Sequence, residues 1–524
     1  MQTFGHLYII QGDIKKIACD AWLLPTSDSY SITISFQDAV GMTVSNDSKP
    51  LEWGGDKWTE PWGDRNFILL KKSEDLHEPD LWIGNIGVSD LAPVTHFADR
   101  AREFVKLACE TVRMRETKSN RAPLIAVNVI GSGHGGGRNK RGELLGALIP
   151  KLVESARENL CDVVLVTYGS VMYSAANSVR NKLPTELDVW RDLPKELIAS
   201  GDELAKSARN SELVVFMGAG VSRDAGLPTW KELLHDVAID VGITEEEFDE
   251  IAKFDPRDQA TLLSKDREDE FRKAVSNRLS SERYSLLHGL LASLPVNEFV
   301  TTNFDNLFEL AAARSGEELP VIPGGVVSAG KRWLLKLHGT IGQDLVLTRG
   351  EYLGAVSTHA ALRGLVQAML LTRHMLFVGY SMNDEDFHQL VHEVRTSVKD
   401  HNNKSFGTVT LLQGRQHLSR LWPDLSFVYT DVGINTAGDL NPEDLNPSAR
   451  NLAIMLDYVG AKSASDIGFV ADETFGKMKT EHELELSQIL KDLEVLVEKM
   501  DIENGKSEKW GSVREFLDEF REKF

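Results

Sequence analysis

The chain has 524 residues, enough for two to four domains with full hydrophobic cores. Its hydrophobic content of 42% and charged content of 26% are ordinary for a globular protein, while a formal net charge of −21 and a pI near 5.2 argue against non-specific binding to nucleic acid or an anionic membrane. The opening MQTFGHLYIIQGDIKK lacks a basic head followed by an apolar run, no stretch approaches about 18 apolar residues, and three scattered cysteines suit a reducing compartment, so a cytoplasmic, non-membrane protein is expected.

Strand-like runs at 7–11, 20–25, 67–71, 81–86, 123–130 and 162–168, with helical patterns at 92–115, 141–158 and 170–182, predict an α/β domain over residues 1–190 with its own core. The interval 41–66, rich in Gly, Asp, Ser and Trp, reads as a long loop. Gly12-Asp13-Ile14 follows the first strand, and IGSGHGGG at 130–137 joins a strand to a helix in a pattern that aims backbone N–H groups at an anion. These two pieces resemble macro domains, which bind ADP-ribose. The resemblance implies a macro-like α/β/α domain in which Asp13 contacts adenine and the glycine loop contacts phosphate. Where that family carries paired asparagines, this chain has PTSDS at 25–29, which argues against de-ADP-ribosylating activity and leaves a structural or oligomerising role open. His134 is expected to face solvent rather than act in catalysis.

Ala199 to Asn210 reads as a helical linker into a second domain, 200–435. Leu213 to Met217 form an all-apolar strand, followed by Gly218, Ala219, Gly220, Val221 and Ser222. A strand–glycine–helix turn of this kind offers free N–H groups to a pyrophosphate, although many such turns are mere connections. The dehydrogenase fingerprint fails, because Arg223 stands where a third glycine belongs. Residues 242–280, including TEEEFDE at 244–250, form a charged helical insertion that reads equally well as a solvated face or as a lid.

After a helical stretch from Tyr284 to Leu294, a strand delivers TTNFD at 301–305 to its C-terminal end, where ligands sit in open α/β sheets. Asn303 can donate and accept toward a ribose hydroxyl or a water; Asp305 can fix a neighbouring group or cap the next helix. The strand Trp333 to Leu337 ends in His338-Gly339, placing a tunable base at another strand end. Leu376 to Val378 lead into Gly379-Tyr380-Ser381, suited to a ribose or phosphate edge, with Asp384 as an expected N-cap.

Taken together, LVVFMGAGVS (213–222), TTNFD, LHG (337–339), FVGYS (377–381) and LVLTRGEYLGAV (345–356) resemble the sirtuin-like domains of the bacterial branch found in NAD-consuming defence proteins. The resemblance runs from about Glu212 to Gln413. It implies a Rossmann-like fold with NAD as substrate, Asn303, Asp305 and His338 as the catalytic set, and Gly218, Ala219, Gly220, Ser222, Arg223, Thr302, Gly379 and Ser381 around the nucleotide. Deacylases of the wider family carry four cysteines as closely spaced pairs on zinc; Cys19, Cys109 and Cys161 cannot form that module, so no metal is expected. Pro228 is followed by Thr229 and Trp230, not by the acidic and aromatic residues of deacylases.

The implied activity is a regulated NAD glycohydrolase that releases nicotinamide and ADP-ribose in anti-phage defence. The alternatives are an NAD-dependent protein deacylase and a non-catalytic NAD or ADP-ribose sensor or scaffold. By resemblance, the partners are further copies of the chain and an ATPase or sensor protein; no direct nucleic-acid or membrane partner is expected. The remainder, 436–524, reads as a helical C-terminal extension. In it Leu486, Ile489, Leu490, Leu493, Leu496, Val497 and Met500 form one apolar stripe, to be buried against its own domain or a partner subunit. After the break at Gly505 to Gly511, Phe516, Leu517, Phe520 and Phe524 mark a short amphipathic helix.

Overall fold

The computed structural model describes residues 5–504 apart from 43, 45–46, 48, 54–55, 74–77, 88–91, 116–120, 134–135, 314–317, 329, 344, 383–384, 398–404, 415–416 and 432–444. The readings of His134, Asp384 and the final amphipathic helix therefore lie outside the described residues. The chain divides into two compact units: 1–15, 19–192 and 464–524 in the first, 16–18 and 193–463 in the second.

The first unit is built on a six-stranded sheet of β1 (Leu7–Gln11), β2 (Ala21–Thr26), β3 (Phe67–Lys71), β4 (Asp80–Asn85), β5 (Leu124–Asn128) and β6 (Asp162–Thr167). Their order is β1-β6-β5-β2-β4-β3, all parallel except the edge strand β3. Three long helices, α1 (Val94–Arg113), α2 (Arg141–Glu158) and α3 (Gly169–Asn181), bring Phe97, Phe104, Leu148, Leu152 and Tyr173 into one core. The interval read as a loop contains one small antiparallel pairing, Glu52–Trp53 with Asp56–Lys57, and its Lys49–Pro50 pairs antiparallel with Ser31–Ile32 before it. All three cysteines are buried, with Cys109 and Cys161 in contact.

The expected C-terminal extension is split rather than continuous. Helix Asn446–Ser463 belongs to the second unit, while the chain from Ala464 onward belongs to the first, where Phe469, Val470 and Phe475 enter the core. Of the apolar stripe on the final described helix, Glu481–Asn504, Val497 is buried, Leu490 and Leu493 are half-buried, and Ile489 and Leu496 stay exposed. Folding back thus covers part of the stripe, against the first unit.

The second unit holds seven parallel strands: β7 (Leu213–Met217), β8 (Glu298–Thr301), β9 (Val321–Ile322), β10 (Trp333–Lys336), β11 (His374–Val378), β12 (Gly407–Leu411) and β13 (Leu425–Tyr429), ordered β9-β10-β8-β7-β11-β12-β13. Apart from the short edge strand β9, this is the 3-2-1-4-5-6 order of doubly wound sheets, with the reversal of chain direction across the sheet at β7. Both faces are covered, which is why β7 and most of β11 read as unbroken apolar runs rather than alternating ones.

Candidate functional site

Register brings the motifs together. In the parallel ladder Met217 pairs with Thr301 and with Val378, and Thr301 pairs with Lys336, so four neighbouring strands end at one level. The glycine turn, TTNFD, LHG and FVGYS all leave from that edge, at the switch point where doubly wound sheets bind ligands.

Gly218 and Gly220 are there for packing between turns. A Cβ on Gly220 would lie 2.9 Å from the Gly379 Cα, one on Gly218 2.5 Å from the Gly379 carbonyl oxygen, and Gly379 itself has φ +64°. The same closeness uses the donors that were expected to face an anion. The N–H groups of Gly218, Gly220 and Val221 go to the carbonyls of Val378, Gly379 and Gly218, each at 3.0 Å. Ala219 sits exposed at the crest.

Ser222 is buried, and its hydroxyl points inward. It donates to Asp305 Oδ2 (2.8 Å) and accepts from Asn303 Nδ2 (3.2 Å), which also donates to the Gly218 carbonyl (3.1 Å). With both amide protons spent on the turn, Asn303 keeps Oδ1 as an acceptor. Both carboxylate oxygens of Asp305 are engaged, since its Oδ1 takes the Leu307 N–H (3.0 Å) at the first residue of the helix Leu307–Ala312.

Beneath Ser222 lies His288, which the motifs did not single out. Helix Leu286–Ser293 begins with a capping box in which Ser285 is the N-cap and His288 stands at the position usually held by Glu or Gln. The Ser285 N–H donates to His288 Nδ1 (3.2 Å) while the Ser285 hydroxyl donates to the Val221 carbonyl (2.7 Å). The Ser285 hydroxyl also lies 2.9 Å from Nδ1. With the Ser285 N–H directed at Nδ1, the arrangement favours the ring proton on Nε2, 3.4 Å from Ser222 Oγ. Burial pushes the imidazole down to about 4, with Asp305 pulling weakly the other way. The signal in the sequence was Ser285 spaced three residues before His288 at a helix start.

Lys336 was read as part of an apolar strand, yet it is a cation with a buried role. Its Nζ donates to the carbonyls of Phe304 (3.3 Å) and Asp305 and to Glu309 Oε1 (2.9 Å), tying down the loop that carries Asn303. Burial raises the Glu309 carboxyl, and Lys336 opposes that rise.

His338 is buried at 8% exposure, with its Nδ1 3.4 Å from the Tyr352 hydroxyl and its ring edge-on to Tyr352. The Phe304 ring, next to Asn303, lies 6.4 Å away between centroids, and the His338 carbonyl takes the Val346 N–H (3.0 Å). Of the remaining expected contacts, Thr302 is half-buried and Ser381 exposed. Arg223 is exposed, 3.6 Å from Glu232, which completes the capping box of helix Trp230–Asp240.

The insertion is a packed element rather than a solvated face. Phe248, Ala260, Leu263, Phe271 and Val275 form a core with Phe304, Leu345 and Leu347, residues that flank Asn303 and the strand end after His338. Arg349 adds ion pairs to Asp255 (2.9 Å) and Asp258. A cavity of about 630 Å³ between Thr261–Arg272 and Leu347–Glu351 is lined by part of the 345–356 motif but by none of the expected site residues, and its Arg272 is already paired with Glu268 and Glu351.

A parallel sheet with an amide, an imidazole and a glycine turn at its switch point defines the second unit as a doubly wound α/β domain. Residues 297–427 match the family model of the SIR2-like domain. Among curated proteins the chain is similar to Defense-associated sirtuin 2 of Bacillus subtilis, 25% identical over 42% of this chain and 23% of that protein. It is also similar to NAD(+) hydrolase ThsA of Enterococcus faecium, 23% identical over 38% of this chain and 44% of that protein, and to NAD(+) hydrolase ThsA of Cytobacillus dafuensis, 26% identical over 37% and 40%. The matched stretch covers less than half the length of these relatives. Among the described residues no group of three or more His, Cys, Asp or Glu could hold a metal, and no helix is long and apolar enough to cross a membrane.

Proposed function

We propose that the second unit is an NAD glycohydrolase that cleaves the bond between ribose and nicotinamide, acting in anti-phage defence by depleting NAD. The observation that carries this reading is the orientation of Asn303: both its N–H groups are held by the glycine turn, so that an acceptor oxygen is presented at the strand end beside the one bearing His338. Two relatives named as NAD(+) hydrolases and one as a defence-associated sirtuin support it.

In the proposed reaction water adds to the anomeric carbon of the ribose as the glycosidic bond breaks through an oxocarbenium-like state. Nicotinamide takes the bonding electrons and leaves neutral, so no acid has to protonate it. Asn303 Oδ1 orients a ribose hydroxyl or the water, and His338 takes the proton released. The pyrophosphate lies over the exposed crest at Ala219, near Thr302, Gly379 and Ser381. Ser222 and Asp305 act through Asn303 and the loop, since their polar atoms are engaged within the protein. Arg223 is assigned to the rim of the nucleotide site. The first unit is proposed to be macro-like. A cytoplasmic location, self-association and an ATPase or sensor partner complete the reading and rest on the family resemblance alone.

The test is chromatography of NAD incubated with the full chain, alone and with the product of a neighbouring gene. Nicotinamide release should fall about 10³-fold in His338→Ala and in Asn303→Ala. Full activity in either variant removes that residue from the mechanism. No release by the unaltered chain in either setting removes the reading. Release only on addition of an acyl-peptide would replace it with a deacylase, and tight NAD binding without product would replace it with a sensor.

A further inference from the structure

We propose that His288 is a positioning residue for the NAD-cleaving site, acting as a neutral hydrogen-bond donor that fixes the Ser222 hydroxyl and, through it, Asn303 and Asp305. This rests on the hydrolase reading above.

Donor and acceptor directions in the network are set one after another. The Ser285 N–H is directed at His288 Nδ1, and the Ser285 hydroxyl lies between the Val221 carbonyl (2.7 Å) and Nδ1 (2.9 Å). With Nδ1 accepting the Ser285 N–H, a neutral ring carries its proton on Nε2, which faces Ser222 Oγ at 3.4 Å. The Ser222 proton is committed to Asp305 Oδ2, so the lone pairs of Ser222 receive His288 from below and Asn303 from above. Two donors and one acceptor saturate the hydroxyl, which shares the Asn303 amide protons with the Gly218 carbonyl and so helps to set which way the amide turns. If the Nε2 donor is lost, the hydroxyl can rotate, and the amide can then turn its N–H groups toward the substrate and withdraw the acceptor. A misplacement of that size costs turnover more than ground-state affinity.

The ring must stay uncharged for this to work. A second proton on Nδ1 would displace the Ser285 N–H from its acceptor and could be received only by the Ser285 hydroxyl 2.9 Å away. His288 is fully enclosed, and Asp305 is the charged group that faces it across Ser222. The capping box supplies rigidity, because the histidine that closes the helix end also carries the link to Ser222.

The experiment uses the full chain with NAD as probe. His288→Leu, of similar bulk but without a donor, should lower kcat for nicotinamide release about 10²-fold while KM stays within about threefold. Ser222→Ala should do the same, and the double variant should lose little beyond the larger single loss, because both break one link. His288→Gln, which can place an amide N–H near the Nε2 position, should recover at least about tenfold over His288→Leu and serves if that variant does not fold. Wild-type turnover in His288→Leu, losses that multiply in the double variant, or no recovery by Gln would overturn the proposal.

A second readout needs no turnover. Nitrogen NMR of the histidine-labelled chain should show the His288 ring neutral, with its proton on Nε2, throughout about pH 5–8. A proton on Nδ1, or titration near 6.5, overturns the proposal. If the chain releases no nicotinamide but the ring shows the Nε2–H form, the hydrolase reading fails and the hydrogen-bond network stands.

Discussion

The two units each carry a glycine-rich turn between a strand and a helix, and what lies beneath the turns separates them. In the first unit the Gly137 N–H bonds the Gly131 carbonyl (2.9 Å), and Gly131 rests on an apolar group: a Cβ there would lie 2.9 Å from the Phe97 ring. In the second unit the turn at 218–220 rests on Gly379 and on a polar floor of Ser222, Asp305, His288 and Lys336. An apolar floor supports a loop, whereas a polar floor also sets the direction of the groups above it. Similar glycine patterns in sequence therefore stand for different capacities, and chemistry is expected where the floor is polar.

The largest effect that would sharpen this contrast comes from Lys336. Replacing it with Met leaves two carbonyls and Glu309 without their donor, and should destabilise the second unit by about 3–5 kcal/mol in denaturant unfolding. Lys336→Met/Glu309→Leu should recover part of that loss. A loss below about 1 kcal/mol in the single variant would mean that the floor is not under load.

Next come the turns themselves. Gly220→Ala forces a Cβ against Gly379 and should cost about 1–3 kcal/mol along with nicotinamide release. Phe97→Leu, under the other turn, should cost about 1 kcal/mol and leave release unchanged. Equal effects of the two on release, measured at matched folded fraction, would break the comparison.

The smallest effect is a pH slope. His288 has its folded value depressed from 6.5 to about 4, so the unfolded chain binds the proton first and stability is lost as pH falls through that window. The slope from this group is at most about 1.4 kcal/mol per pH unit between 6.5 and 4. Unfolding of His288→Gln compared with the unaltered chain isolates it; identical slopes would show that the ring is not held neutral.

Much of the architecture was legible before any coordinates. Fully buried parallel strands must be apolar throughout, so Leu213–Met217 and Leu376–Val378 announced themselves, and glycines followed by Asn, Asp and His marked the strand ends. The first unit's strands and helices were likewise visible as strand-like runs and helical patterns. The insertion was visible as helix but not as a packed element, because charge on TEEEFDE hid the inward Phe248. Lys336 was overlooked because a single cation in an apolar strand looks like an edge residue until its partners are known.

Sequence by itself determined the local elements and the kinds of functional groups at each strand end, because hydrophobic periodicity and turn chemistry act over a few residues. Only the tertiary structure decided that Ser222 faces inward, that His288 and Lys336 lie under the site, that three N–H groups of the glycine turn are already spent, and that the chain after Ser463 belongs with the first unit. Those outcomes depend on hydrogen-bond geometry and side-chain packing between residues some 30 to several hundred positions apart, and no local pattern encodes which donor meets which acceptor.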